Sequence, residues 1–335
     1  MLTMMGFVNS YFVVLFSIVF VTTWLLLPWW IKTAKKAGLV GKDIHKVKER
    51  NVAEMGGIIV LLGFIIGIIG YIALRIFVLD ANSNIVSILA VLVGIFLATI
   101  IGIIDDVLGW KIGLKQWQKP VLTLLVATPI MAVNAGTRMM SIPLMGNIDL
   151  GLVYPLIIIP ILIAIGTNGF NMLAGYNGLE ASQGIIILTT LAYYSYITSS
   201  SWLSIVALCM VAALGAFLFF NKYPAKIFPG DTLTYSVGGL AAMIAIMANL
   251  EKIFIILFIP YVIEFFLKLR GSFKKESFAR VQENGTLVPR YKKIYGLENL
   301  SVLIMNKLKI KTTEQKVVFS LYCFQLLFVL FTFIL

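Results

Sequence analysis

Long apolar runs alternate with short polar stretches along the whole chain. A membrane-crossing helix needs about 20 mostly apolar residues, and ten runs approach or exceed that: 9–31, 56–79, 85–104, 117–135, 152–170, 183–199, 202–220, 232–249, 252–271 and 315–335. Apolar residues within them are continuous rather than alternating, which predicts helices and not the strands of a membrane barrel. The pattern therefore predicts an all-α polytopic membrane protein with about ten transmembrane helices, built as one domain over 1–335. The first run has no positively charged residues before it and ends in Trp29, Trp30 and Lys32. That predicts a retained first span with an aromatic interfacial anchor, not a cleaved signal. Among the connections, 136–151 carries Gly136, Pro143, Gly146 and Asn147 and predicts a small external β-hairpin. The stretch 297–310, apolar with Lys307 and Lys309, predicts an interfacial helix.

Charge gives the topology a direction. Of the 27 Lys and Arg, all but Arg75, Arg138 and Lys252 fall within the polar stretches 32–55, 105–119, 171–183, 221–232 and 268–316. These stretches separate alternate pairs of spans, so the bias puts them on the cytoplasmic side and both termini outside. The net charge of +12 follows from that bias and from attraction to anionic lipid headgroups, with no nucleic-acid partner implied. Cys209 and Cys323 both lie in apolar runs and His45 is the sole histidine. No disulfide framework or histidine-based metal site is expected.

The same stretches hold the candidate chemistry. In IGIIDDVLGWKIGLKQWQKP (101–120), Asp105 and Asp106 end an apolar run, and adjacent carboxylates there need solvent, a partner or a cation. Lys111, Lys115 and Lys119 recur every four residues, one face of a helix if the helix continues. A phosphate and metal site fits, and so does a solvated turn followed by lysines reaching for the interface. GTNGFNMLAGYNGLEASQG (166–184) brings Asn168, Asn171, Asn177, Glu180 and several glycines with no cation. Amide carbonyls suit hard cations, and amides can read a base or a sugar; an ordinary polar loop is the alternative. Asp231, after Pro229-Gly230, is either a helix N-cap or a magnesium ligand. GKDIHKVKERNVAEMGG (41–57) holds Asp43, Lys46 and Glu54, and RVQENGTLVPRYKK (280–293) holds Arg290, whose guanidinium can grip a diphosphate with two hydrogen bonds. Glu264 is the one acid expected deep within a span, too little for an ion path across the membrane, which disfavours a transporter.

Taken in order, NMLAGYNGLEASQG, IIDDVLGWKIGLK, IFPGDTLTYSVGG and GKDIHK with AEMGG resemble the polyprenyl-phosphate N-acetylhexosamine-1-phosphate transferases. The likeness is strongest to the eukaryotic and archaeal branch that uses UDP-N-acetylglucosamine and dolichyl phosphate. The resemblance implies transfer of a sugar phosphate from a UDP-sugar donor to a polyprenyl phosphate acceptor in the membrane, on the cytoplasmic face of a cell or endoplasmic reticulum membrane. It implies that Asn171 and Asp231 hold Mg2+ (Mn2+ as a substitute) and that Lys115 contacts the phosphates. Asp105 and Asp106 would lie near the reacting centre, and Asn177 and Phe228 would bind uracil. Asp43, Lys46 and Glu54 would belong to the first cytoplasmic motif, with Glu54 on the sugar side. It also allows a homodimer. Two positions depart from the family pattern: Gly109 stands where some members have a third acid or amide, and GTLV precedes Pro289-Arg290 where eukaryotic members are arginine-rich and bacterial ones histidine-rich. Only Arg290 carries over there, which counts against the bacterial branch.

Overall fold

A computed structural model describes residues 2–48, 50–142 and 146–334. Each expected run is helical. Helix α1 is Leu2–Lys36, α2 Gly57–Phe77 and α3 Ile85–Ile112. The fourth run is broken into α4 (Gln118–Thr123), a 3₁₀ turn and α5 (Thr128–Ala132). Next come α6 (Ile159–Met172, entered through a π turn), α7 (Leu179–Ile197), α8 (Ser201–Asn221) and α9 (Gly230–Met247). The ninth run is α10 (Glu251–Leu257) and α11 (Ile259–Arg270), interrupted before Pro260, whose ring cannot sit in a helix interior. Helices α12 (Leu297–Lys307) and α13 (Glu314–Ile334) close the chain.

Among the described residues, seven of the ten runs are single helices long and apolar enough to cross a membrane: those of α1, α2, α3, α6, α8, α9 and α13. The chain is an integral, all-α membrane protein. The runs at 117–135 and 252–271 fall short because each is split. Helix α7 falls outside the seven, with Glu180, Ser182 and Gln183 in its first turns.

Helix α9 is the centre of the bundle, with every residue from Thr232 to Ile246 buried. It is wrapped by α2, α3, α6 and α7. Against α6 the backbones nearly touch: a Cβ at Gly238 would lie 2.1 Å from the Gly166 carbonyl oxygen, so small residues set that crossing. Against α3, a Cβ at Gly102 would meet the Thr232 backbone at 2.5 Å. These two approaches bring the ends of α3 and α6 beside the start of α9.

Among the described residues, three short antiparallel hairpins complete the fold. β1 (Val40–Lys42) pairs with β2 (Asn51–Ala53), β3 (Met139–Ile142) with β4 (Gly146–Asp149), and β5 (Arg280–Val281) with β6 (Leu287–Val288). The β3–β4 pair is the hairpin expected in 136–151; Pro143 lies outside the described residues. Helix α12 forms within the stretch 297–310 expected to be an interfacial helix. It packs on α11 and α13 with Leu297, Glu298, Asn299, Ser301 and Val302 buried.

Candidate active site

The five polar stretches meet at one end of the bundle. Lys46 pairs with Glu314, Arg50 donates to the Ala225 carbonyl, Lys119 reaches Asp231, and Lys268 donates to the Met172 carbonyl. At the other end, Arg75 is bound by the Ser83 carbonyl and Tyr154 donates to Glu251.

Asp105 and Asp106 are neighbours with different work. The Asp106 carboxylate accepts from the Asp231 N–H (2.7 Å), the Thr232 N–H (3.0 Å) and the Thr232 hydroxyl (2.6 Å). It thus caps the start of α9 from another helix, where the positive end of the helix dipole favours an anion. Gly230 makes room for it: φ is +74°, and a Cβ there would sit 2.4 Å from Asp106 Oδ2. Asp105 is buried; its Oδ1 accepts from the Leu114 N–H (2.7 Å), and its Oδ2 lies 2.5 Å from Lys119 Nζ. These are not the groups of a solvated acidic turn.

Asp231 is not the N-cap of α9, since Asp106 takes that position. Its carboxylate instead meets Lys119 Nζ at 3.1 Å. One ammonium therefore bridges Asp105 on α3 and Asp231 on α9. Lys115 is exposed, and its N–H donates to the Gln118 side chain. The expectation of three lysines on one helical face fails because α3 breaks: Gly109 has φ +70°, and the chain leaves helical conformation at Gly113. Lys111 and Lys119 consequently belong to different helices, with Lys115 in the loop between. The structure brings Lys119, which the sequence reading had set aside, to the carboxylates.

Asn171 stands one residue before the end of α6. Its amide nitrogen donates to Thr234 Oγ1 (2.8 Å), and that hydroxyl donates to the Asp231 carbonyl (3.2 Å). Asn168 ties α6 to α4 through Thr123 Oγ1 (2.8 Å), which fixes the helix that carries Lys119. In front of these groups lies a cavity of about 280 Å³. Lys119, Asn171 and Tyr235 line one side, and Lys268 with the segment Phe273–Phe278 lines the other. Lys274 and Lys275 on that wall are further residues the sequence reading passed over; two consecutive cations in a basic stretch were their only signal.

Among the described residues, no group of three or more His, Cys, Asp or Glu forms a metal cage. The donor set nonetheless fits a cation shared with a substrate. Two carboxylates, Asp105 and Asp231, meet a single ammonium here, and Asn171 has committed its amide nitrogen, leaving its carbonyl oxygen as the remaining donor atom. Mg2+ is commonly held by one or two carboxylates together with substrate phosphates.

A second group of predicted residues lies nearby. Glu54 and Phe228 flank Gly41, at which a Cβ would sit 2.1 Å from Glu54 Oε1 and 3.2 Å from the Phe228 ring. Burial, with Asp106 adding to it, raises the Glu54 pKa above the usual carboxylate value. Asp43, Lys46 and Asn177 are joined around Glu314: the Asn177 N–H donates to Glu314 (2.8 Å), its side chain donates to Asp43 (3.2 Å), and Lys46 pairs with both acids. His45 stacks on Tyr176 with ring centroids 4.1 Å apart. Arg290 does not line the cavity. It pairs with Glu276, which does. Glu264 is buried; it accepts from the Leu297 N–H (2.6 Å) at the start of α12 and lies 3.4 Å from Lys268.

Residues 88–249, from α3 through α9, match the model of glycosyl transferase family 4. A protein of Saccharolobus solfataricus, provisionally named UDP-N-acetylglucosamine–dolichyl-phosphate N-acetylglucosaminephosphotransferase, is 39% identical over 274 residues, 81% of each chain. This chain belongs to glycosyl transferase family 4. A Dictyostelium discoideum protein of the same transferase name is 27% identical over 281 residues, 72% of this chain and 68% of that one. A phospho-N-acetylmuramoyl-pentapeptide-transferase of Wolbachia pipientis wMel is 29% identical over 261 residues, 73% of this chain and 77% of its own. The family's matched region contains Asp105, Asp106, Lys119, Asn171, Asn177, Phe228 and Asp231; the 41–57 motif and the 268–316 stretch lie outside it.

Proposed function

We propose that this enzyme transfers N-acetylglucosamine-1-phosphate from UDP-N-acetylglucosamine to a dolichyl-type polyprenyl phosphate, giving the lipid diphosphate sugar and UMP. The observation that carries the reading is Lys119 held between Asp105 and Asp231 at the edge of a cavity that Asn171 also lines. An acceptor phosphate oxygen attacks the β-phosphorus of the donor, the bond to the bridging oxygen breaks, and UMP departs. Both reactants are anionic, so the protein's task is mostly positioning and electrostatic stabilisation. Lys119 supplies a fixed positive charge at the reacting phosphates, with Asp105 and Asp231 holding its ammonium in place. Asp106 keeps the start of α9 at the end of α3. Asn171 and Asp231 would hold Mg2+, or Mn2+ in its place, whose bound charge neutralises the diphosphate. The acceptor is already an ionised phosphate near neutral pH, so no strong general base is required.

Glu54 and Phe228 are proposed to face the donor's sugar and uracil, with Asn177, Asp43 and Lys46 shaping that side from below. Arg290 is proposed to act through Glu276 on the cavity wall. The basic end faces the cytoplasm. Cysteines placed at the exposed positions Val47 and Glu283 are expected to resist an impermeant reagent in sealed cells; labelling from outside contradicts the orientation. Purified protein with polyprenyl phosphate and a panel of radiolabelled UDP-sugars tests the reaction. Labelled lipid and UMP are expected from UDP-N-acetylglucosamine, with loss on chelation and recovery with Mg2+. Faster turnover of another UDP-sugar, UDP-N-acetylmuramoyl-pentapeptide included, or full activity in excess chelator, contradicts the assignment.

A further inference from the structure

A second recess, of about 230 Å³, opens at the same end of the bundle and shares no lining residue with the central cavity. Its walls are Lys35, Arg50, Asn51, Val52, Ala225 and Lys226. The three cations come from three segments: the last turn of α1, the residue before β2, and the connection from α8 to α9. No acid is among the described lining residues.

Two of the cations are held in place. The Arg50 guanidinium donates to the Ala225 carbonyl and lies 4.0 Å from Asp43 Oδ2. The Lys226 N–H donates to the Phe220 carbonyl at 2.7 Å, and its ammonium stands 5.9 Å from the Phe220 ring centroid. Lys35 rides on the end of a long helix, less than two turns beyond Trp29 and Trp30. Tryptophans at the end of a span mark the interfacial level, so the recess lies where lipid headgroups are. A water occupies about 30 Å³ of liquid volume, and the recess has room for several, enough for a phosphate group and the start of its alcohol.

We propose that this recess binds the phosphate of an anionic membrane lipid headgroup, separately from the reacting cavity. Positive charge alone attracts such lipids diffusely. The distinguishing feature here is convergence: three cations from three segments line one concavity with no acid among its described lining residues, while other lysines at this end, such as Lys36 and Lys222, do not line it. Because Arg50 also approaches Asp43, which binds Asn177, an anion in the recess bears electrostatically on the donor side.

The test uses the full chain in a neutral detergent, titrated with short-chain phosphatidic acid, with glycerol 3-phosphate and with inorganic phosphate, binding being read by thermophoresis. Lys35→Gln with Lys226→Gln is compared with Lys36→Gln with Lys222→Gln, which has the same net charge. Any binding in the central cavity is common to both. The wild type is expected to bind the lipid saturably. The first pair should weaken binding about tenfold or more, and the second should leave it close to wild type. Asn51→Asp, which puts an acid into the recess without removing a cation, should also weaken it. Equal losses in both pairs mean diffuse attraction and overturn the proposal. Equal affinity for glycerol 3-phosphate or inorganic phosphate overturns the lipid assignment, and absence of saturable lipid binding overturns the site.

Discussion

The end of α3 and the stretch that follows α11 both deliver charge to the central cavity, and they hold it in different ways. At the end of α3 both carboxylates are fixed: Asp106 by the first N–H groups of α9, Asp105 by the Leu114 N–H and Lys119. In 268–316 the wall Phe273–Phe278 is irregular, steadied by Arg290 on Glu276 and by Glu264 at the start of α12. The first region is rigid because its hydrogen bonds close between buried helices. The second is a loop fastened at a few points, at the surface. Rigid helix ends suit groups that must meet a reacting centre, while a fastened loop suits donor selection, which varies among relatives.

That contrast predicts a gradient of effects. Largest is the loss of the residues proposed to hold the cation. Asp231→Ala and Asn171→Ala are each expected to abolish UMP release while the protein still runs as a folded species in detergent. Turnover that survives either change contradicts their role. Next is Asp106→Ala, whose main cost is structural. Loss of an N-cap costs about 1–2 kcal/mol, so thermal unfolding should move down, and a variant as stable as wild type contradicts the cap. Smaller again is Arg290→Ala. An exposed ion pair is worth about 0.2–1 kcal/mol, so the donor KM should rise by no more than about fivefold, with kcat nearly kept. Exchanging the charges, Arg290→Glu with Glu276→Arg, should restore it if the pair only positions the wall.

The smallest effect at neutral pH belongs to His45. Burial lowers its pKa to about 4 from 6.5, Lys46 adding to the shift and Asp43 opposing it. In the folded protein the ring stays neutral, while the unfolded chain takes up a proton near 6.5. Stability is thus unaffected above that pH and falls as pH drops from 6.5 towards 4. His45→Phe, which keeps the stack on Tyr176, should flatten that fall in melting curves recorded from neutral to mildly acidic pH.

Much of this could be read from the chain. Hydrophobic runs located the helices, and the charge bias picked out the five stretches that the structure brings together. Asn171 and Asp231 were named from stretches far apart, and they meet through Thr234. What failed to show was geometry beyond a spacing. Lys115 was named from the family resemblance, while the repeat of four put Lys111, Lys115 and Lys119 on one face; that face presumes a continuous helix, and the breaks at Gly109 and Gly113 are backbone conformations that a periodicity does not reveal. Asp231 looked like a cap because helix starts favour aspartate. The cap is Asp106, 125 positions earlier in sequence, where no local pattern points to α9. Arg290 was offered as a diphosphate ligand from the reach of its guanidinium; its pairing with Glu276 depends on a loop whose path only the folded chain defines.

The central claim is that the cation of the reacting centre is Lys119, held by Asp105 and Asp231. Its most direct test is kcat for UMP release by Lys119→Gln beside Lys115→Gln at saturating donor and acceptor. Loss of a fixed electrostatic donor costs roughly 10²–10³ in rate, so Lys119→Gln should fall by that order. Lys115→Gln, an exposed change, should stay within about twofold of wild type. Equal losses in the two variants, or near-normal turnover in Lys119→Gln, would contradict the account.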